Sequence, residues 1–379
     1  MSDIVLDVSE LAHLPLRTGI QRVTRELMTA WSGPGRLLPC VYDRSADDLR
    51  FLPEAAVRLL TAPATGAELT VGEERDAIHA ALAADTPRPV PPGAGPVLNV
   101  ELFVDLHRTR FYERLARDGR TDIFWLLYDF IPWLQPDWFP QFGWRAGMHY
   151  LHAALRMPHT AFISEATRQD FQRRITRDRT RDPGPVIALG GDGLGLERQS
   201  FHDGRNHYVT LGTLEPRKRF SIVLEAFRNL WRAGSEARLT VIGRLLPSST
   251  REAELIAALD GDRRFAFLPN ASDEAVRDNL RRARALLFPS GSEGFGLPPF
   301  EALGCGIPVV ATSGIPSLDM LPPGGRLVLA EATVGAMADA IRALEDKAAA
   351  VSLWNEAARL RVPTWRDFAA SVAAWVHRG

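Results

Sequence analysis

Residues 290–312 read SGSEGFGLPPFEALGCGIPVVAT, one proline after the apolar run ALLF, and the order of features in that stretch decides the fold. An apolar strand runs into a glycine-rich loop, then a helix opened by Pro298 and Pro299, then the strand IPVVAT. Two adjacent prolines suit a first helical turn, where missing N–H groups cost little, and Gly294 and Gly296 let the main chain approach a ligand closely. The exposed amides of such a turn and the helix dipole favour an anion. Glu293 in the loop and Glu301 in the early helix flank that position. Two carboxylates beside an anion repel it unless they accept hydrogen bonds from hydroxyls, so the stretch suits a ligand with polyol parts around a phosphate.

Outward from this unit the pattern repeats. Strand-length apolar runs alternate with helical periodicity along the chain, the signature of βα units and parallel sheets. In the first half the expected strands are 4–8, 37–42, 97–104, 123–128, 160–164 and 186–189, and in the second 208–212, 239–243, 264–268, 285–288, 309–311 and 327–329. Residues 83–96, rich in Pro and Gly, read as a surface loop, as does the polar stretch around Asp47 and Asp48. The glycine-rich segment 190–206 separates the two series, and 379 residues exceed what one core usually organises. Two Rossmann-like domains follow: 1–198, and 207–361, with 362–379 as a helix crossing back to the first. Parallel sheets facing a central cleft would bind ligand beyond the carboxyl ends of their strands.

Composition fits an ordinary enzyme. Apolar residues make up 46% and charged residues 24%, with a formal net charge of -1, so no nucleic-acid partner is indicated. The start MSDIVLDVSEL lacks a signal pattern and no run reaches membrane-spanning length, which gives a cytoplasmic expectation. Cys40 and Cys305 are isolated, which argues against a disulfide framework or structural zinc. Of 45 basic residues only Lys218 and Lys347 are lysines. Lys347 lies in a helical run with a solvated face. Lys218, in GTLEPRKRF after a strand, suggests a demand for a compact charge that Arg does not meet.

These segments together resemble retaining glycosyltransferase family 4, within glycosyltransferase group 1, whose signature places two glutamates at this spacing around a GFGLP-like loop. YVTLGTLEPRKRF at 208–220 resembles its strand and loop with a basic pair, LTVIGR at 239–244 the next strand and its glycine, and FAFLPNAS at 265–272 the strand and turn that wall the nucleobase. RTGIQRVTREL at 17–27, WLLYDFIP at 125–132 and FISEATRQD at 162–170 match its first domain. The resemblance implies a GT-B fold and transfer from a nucleotide-sugar donor, GDP- or UDP-linked, to a glycan or lipid-linked acceptor in surface polysaccharide assembly. It assigns Glu301 to the ribose hydroxyls and Glu293 to the transferred sugar. Amides of Phe295, Gly296 and Leu297 beside Gly294 go to sugar or distal phosphate, and Arg217 and Lys218 to the diphosphate. Gly212, Gly243 and Leu268 line the nucleotide, and Gly19 offers an amide from the first domain. No metal or other cofactor is expected, since no DxD-like pair stands in a donor position and fixed cations can stabilise the leaving diphosphate.

One position departs from the family. Where its members often carry His before Asp, this chain has Tyr128 before Asp129; the phenol is expected to point into the cleft and either contact the donor sugar or pack. The aromatics Trp125, Trp133, Trp138 and Trp144 read as an oligosaccharide groove or as core. The arginines between Arg168 and Arg181 read as a solvated face or a peripheral contact with acidic headgroups. Alternative functions are a GT-B nucleotide-sugar epimerase and an inactive nucleotide-sugar-binding partner subunit.

Overall fold

The computed structural model describes residues 2–16, 18–62, 70–85, 87–139, 144–178, 180 and 182–378, with side chains from 147 onward in the segment that begins at 144. Arg17, Arg179, Arg181 and the side chain of Trp144 lie outside the described residues. The chain divides into two compact units, Met1–Leu189 with Trp365–Gly379, and Gly190–Thr364.

Unit 1 carries a seven-stranded sheet. Its strands are β1 (Ile4–Asp7), β2 (Leu37–Asp43), β3 (Asp48–Phe51), β4 (Arg88–Pro89), β5 (Val97–Asn99), β6 (Ile123–Leu127) and β7 (His159–Phe162), in the order β4-β3-β2-β1-β5-β6-β7. From β2 to β7 the pairing is parallel. β3 and β4 add antiparallel to the β2 edge. These two strands correct the sequence reading, which placed Asp48 and residues 83–96 in loops. Asp48 opens β3 after a tight turn in which Asp47 takes a left-handed φ of 53°. The polar DLRF and the proline-bearing RP lack apolar alternation, and an edge strand tolerates both. The opposite error occurs at 186–189. Val186 makes only an isolated bridge to Phe162, because Pro183 and Pro185 interrupt the donors a strand needs.

The core of unit 1 gathers Val5, Trp125, Leu127, Tyr112, Tyr150 and Phe162 between β1, β5, β6 and the flanking helices. The last helix, Trp365–Val376, buries Trp365, Phe368, Val372 and Val376 in this unit. Trp375 meets Phe124 edge-on at 5.1 Å.

Unit 2 is a six-stranded parallel sheet: β8 (His207–Leu211), β9 (Arg238–Ile242), β10 (Phe265–Leu268), β11 (Ala283–Phe288), β12 (Val309–Thr312) and β13 (Arg326–Leu329). The order β10-β9-β8-β11-β12-β13 reverses direction between β8 and β11. This is the doubly wound order in which ligands bind at the carboxyl ends of the two central strands. One face of the sheet packs Tyr208, Leu239, Val241 and Leu287 against the helix Phe220–Arg232, whose Val223, Leu224, Phe227 and Leu230 recur at helical spacing.

Candidate functional site

Past β8 and β11, at the reversal of unit 2, two loops are tied together. Gly212 follows β8 with φ 143° and Gly243 follows β9 with φ 139°. A Cβ on Gly243 would fall 1.9 Å from the Gly212 carbonyl oxygen, so only glycine lets these strand ends meet. Above Gly212 lies Lys218, whose Nζ would stand 3.2 Å from a Cβ added there. The side chain therefore crosses the end of β8. Lys218 belongs to the short 3-10 turn Pro216–Lys218, closed by Arg219 in the left-handed region at φ 52°, after which the helix Phe220–Arg232 begins.

The second loop, Ser290–Gly296, locks onto this turn. The Gly291 amide donates to the Arg217 carbonyl at 2.8 Å, and Arg217 Nη1 donates to the Ser292 carbonyl at 2.6 Å. Glu293 sits between the cations: Arg217 Nη1 lies 3.2 Å from one carboxylate oxygen and Lys218 Nζ 3.5 Å from the other, while Ser290 Oγ donates to it at 2.7 Å. Burial acts to raise the Glu293 carboxyl, but Lys218, Arg217 and the Ser290 hydrogen bond outweigh it, so it is held below the ordinary value and stays ionised. Arg217 also pairs with Glu215 at 2.7 Å. Two cations thus face two carboxylates, and all four side chains are at most 14% exposed.

Gly296, at φ 93°, caps the helix Leu297–Gly304. A Cβ there would fall 2.7 Å from Ile315 Cγ2, and Ser317 Oγ donates to the Gly296 carbonyl at 2.8 Å, so the turn into the helix is fixed from below. Phe295 is buried edge-on against Phe300, with ring centroids 5.0 Å apart. Pro298 and Pro299 remove two of the amides a helix start normally offers. The main-chain amides that remain around this turn are those of Phe295, Gly296 and Leu297. Glu301, on the same helix, is 2% exposed. Leu268 ends β10, where its carbonyl accepts from the Gly243 amide at 3.0 Å. Unit 2 therefore groups Arg217, Lys218, Glu293, Gly294, Phe295, Gly296 and Leu297 at two interlocked loops, with Gly212 and Gly243 beneath them.

Gly19 and Tyr128 belong to unit 1. Gly19 opens the helix Gly19–Ala30, capped by Thr18, whose hydroxyl accepts from the Gln21 amide at 3.4 Å. Of the two expectations for Tyr128, contact with the donor sugar or packing, the structure shows the second, and the phenol is not free to meet a ligand. It is 4% exposed, and its hydroxyl proton goes to the Val100 carbonyl at 2.5 Å. Burial pushes that phenol well above its ordinary pKa, so it stays protonated. The aromatic cluster is packing: Trp125 is fully buried and stacks on Phe103, and Trp133 stacks on Tyr150. Arg168 and Arg174 pair with acids of their own segment, Glu165, Asp182 and Asp170.

Sequence reasoning missed a buried ion network at the strand-order reversal of unit 1, between β1 and β5. Arg108, 1% exposed, lies 2.7 Å from Asp7, 3.1 Å from Glu101 and 3.2 Å from Glu10, with its guanidinium over Phe103 at 3.9 Å. Tyr112 donates to Asp7 at 2.5 Å. Glu101 accepts from the amides of Glu10 and Leu11 at 2.8 and 2.9 Å, capping the short helix Ser9–His13. Desolvation dominates at Glu101 and pushes it up to about 7, against the pull of Arg108. Asp7 at the end of the strand IVLD was the available signal, because a carboxylate that closes a buried strand needs a partner.

Residues 196–361 match the model of the family described as glycosyl transferases group 1. The chain is 24% identical over 335 residues to the serotype-specific mannosyltransferase WbdA of Escherichia coli, covering 81% of this chain and 38% of that protein. It is 31% identical over 172 residues to the O-antigen chain mannosyltransferase B of E. coli, covering 41% of this chain and 40% of the relative. It thus spans about two fifths of the length of these curated relatives. Among solved structures, HepE of Anabaena in complex with UDP and glucose matches with a TM-score of 0.68 at 14% identity, over 100% of both chains. A sucrose-phosphate synthase of Thermosynechococcus elongatus matches at 0.70 and 16% identity, over 100% of this chain and 99% of that one.

Proposed function

We propose, from the match of residues 196–361 to the glycosyl transferases group 1 model and from the GT-B fold, that the chain belongs to that family and moves a hexosyl group from a GDP- or UDP-sugar to a glycan or lipid-linked acceptor in surface polysaccharide assembly. The names of the E. coli relatives make mannosyl the first sugar to test. The observation that carries the reading is the grip of Lys218 and Arg217 on the ionised Glu293, at the loops where a doubly wound sheet binds ligand.

Breaking a sugar–phosphate bond puts negative charge on the leaving nucleoside diphosphate. Lys218, Arg217 and the amides of Phe295, Gly296 and Leu297 meet that charge as it develops, the charged side chains being at most 14% exposed. Glu293, turned away from phosphate by its own charge, accepts hydrogen bonds from hydroxyls of the transferred sugar, and the buried Glu301 does the same for the ribose. In this reading the transfer retains the anomeric configuration: the acceptor attacks from the face the phosphate leaves, and the departing phosphate oxygen takes the acceptor proton. The fixed cations supply the charge stabilisation without a metal. We place the protein in the cytoplasm, at most peripheral to a membrane; no helix among the described residues is long and apolar enough to cross one.

The test is a panel of GDP- and UDP-sugars scored by thermal stabilisation, since a ligand of the folded state raises the melting temperature with its concentration. NMR of the product linkage follows with the best donor. A stabilising donor and a product with the donor's anomeric configuration are expected. An inverted linkage rejects retention; product formed from donor alone supports epimerisation instead; no stabilisation by any nucleotide sugar rejects the donor site.

A further inference from the structure

Unit 2 has a cavity of about 470 Å³ beside β9 and the edge strand β10. It runs from His207 and Arg238, at the amino ends of β8 and β9, along Thr240 and Ala266 to Leu268, with Asn279 and Arg282 of the helix Asp273–Arg282 as its other wall. His207 lies at the opposite end of β8 from Gly212, a span of about 16 Å for a strand of that length.

The charges around this cavity do not balance. Arg263 pairs with Glu236 at 3.2 Å, Arg264 with Asp262 at 2.8 Å and Arg281 with Asp278. Arg238 and Arg282 meet no carboxylate among the described residues: Arg238 Nη2 donates to the Arg263 carbonyl at 3.3 Å and Arg282 Nε to the Asp278 carbonyl at 3.1 Å. Between them sits His207, its Nε2 2.8 Å from Thr240 Oγ1. Burial, then Arg282 and Arg238, depress this imidazole to about 4, so it is neutral near pH 7 and brings no further charge. Two guanidinium groups without a carboxylate partner among the described residues therefore line one cavity and both act on His207, an arrangement that an oxyanion relieves. The volume exceeds what a bare phosphate fills. Thr240 and Asn206 offer polar edges and Ala266 and Leu268 an apolar wall for an organic portion.

We propose that this cavity is a second binding site that takes a phosphate ester of a small polyol, the phosphate held between Arg238 and Arg282. A soluble sugar phosphate and a glycerophosphate lipid headgroup share that chemistry. Neither arginine belongs to the loops that hold Lys218 and Glu293, and the end of the cavity at Leu268 is shared with the expected nucleotide lining.

The experiment uses the full chain and two probes, glucose 1-phosphate by calorimetry and phosphatidylglycerol–phosphatidylcholine vesicles by flotation. The His207 imidazole is followed by NMR. Either probe should bind wild-type protein, and glucose 1-phosphate should raise the His207 pKa because the bound anion offsets the two arginines. The double variant Arg238→Gln, Arg282→Gln changes exposed side chains; circular dichroism checks its fold. It should bind at least about tenfold more weakly, the loss of one charge-assisted hydrogen bond or more. Lys218→Ala should leave this binding intact. Glucose 1-phosphate alone identifies a soluble ligand and vesicles alone a lipid headgroup, and both support the site. Binding that survives the double variant, or disappears in Lys218→Ala, overturns it, as does failure of both probes to bind.

Discussion

Replacing Glu293 by Gln should tighten the binding of nucleoside diphosphate while slowing turnover. Lys218 and Arg217 are matched by Glu293 and Glu215, so the four groups sum to zero before any ligand arrives. A phosphate oxygen about 2.8 Å from Lys218 Nζ would stand about 6 Å from the Glu293 carboxylate. At an effective dielectric of about 20, each pair of unit charges at that distance repels by about 3 kcal/mol. Gln keeps the side-chain shape and the Ser290 hydrogen bond but removes this repulsion. Halving the figure for solvent at the loop surface and for the looser hold on the two cations leaves about 1.4 kcal/mol, tenfold in affinity. Turnover moves the other way. Losing a charged acceptor for sugar hydroxyls costs about 1.5–3 kcal/mol in the transition state, a tenfold to hundredfold fall in kcat. Calorimetry with GDP and UDP at low and high ionic strength reads the first effect, and initial rates the second. The affinity gain should shrink as salt rises. Unchanged or weaker diphosphate binding at low salt would refute the reasoning, because it would put Glu293 outside electrostatic reach of the phosphates.

Lys218→Ala should lower kcat by about thirtyfold or more, roughly 2 kcal/mol, with little change in melting temperature, and wild-type activity should persist in excess chelator; a divalent cation strictly required for turnover rejects that reading. Tyr128→Phe should cost about 1 kcal/mol of stability through the lost bond to Val100 and leave GDP and UDP affinity alone, checked by urea unfolding and calorimetry. Arg108→Met should destabilise the chain by about 3–5 kcal/mol, since it leaves Asp7 and Glu101 buried without their cation; a thermal shift comparable to a surface variant would show that the network relaxes. The same network sets a pH dependence. Glu101 is raised from 4.5 to about 7 on folding, so the folded chain holds the extra proton between those values. The stability from this group is complete below about 4.5 and is lost as pH rises through about 7. Glu101→Gln should flatten the unfolding free energy across that window.

The parallel strands were legible because buried βα strands are near-continuous apolar runs. YVTL, LTVI, ALLF and VVA could be read without knowing their partners. The antiparallel edge was illegible for the same reason, since DLRF and RP lack any apolar period and owe their conformation to β2. At the candidate site the residue types could be read but not their pairing. Lys218 stood out as one of two lysines in an arginine chain. That it touches Glu293, seventy-five positions away, depends on β8 and β11 being neighbours, which is a property of strand order. The choice between the two uses of Tyr128 was not legible for a related reason. A residue just past a strand end can face ligand or turn back to the main chain, and the Val100 carbonyl that takes its hydroxyl lies past β5, a different strand.

Both units place ionised clusters where their strand order reverses, yet the two clusters differ in what they leave available. In unit 1 Arg108 is surrounded by Asp7, Glu101 and Glu10, all acceptors, and Tyr112 completes Asp7. The single cation is outnumbered, so nothing remains to attract an anion, and the network serves to hold Ser9–His13 against β1 and β5. In unit 2 the cations and carboxylates match one for one, and Arg217 and Lys218 each share Glu293. Lys218, held by that shared carboxylate at 3.5 Å, longer than the optimum for such a pair, can turn toward an incoming phosphate at small cost, whereas Arg217 is also fixed by Glu215 at 2.7 Å and the Ser292 carbonyl at 2.6 Å. In the proposed function Glu293 then exchanges part of its hold on the cations for sugar hydroxyls. The resting cluster thus keeps its charges ordered and compensated, and the ligand that frees them must bring both a phosphate for Lys218 and Arg217 and hydroxyls for Glu293. A bare diphosphate supplies only the first, which is why the Gln variant should favour it.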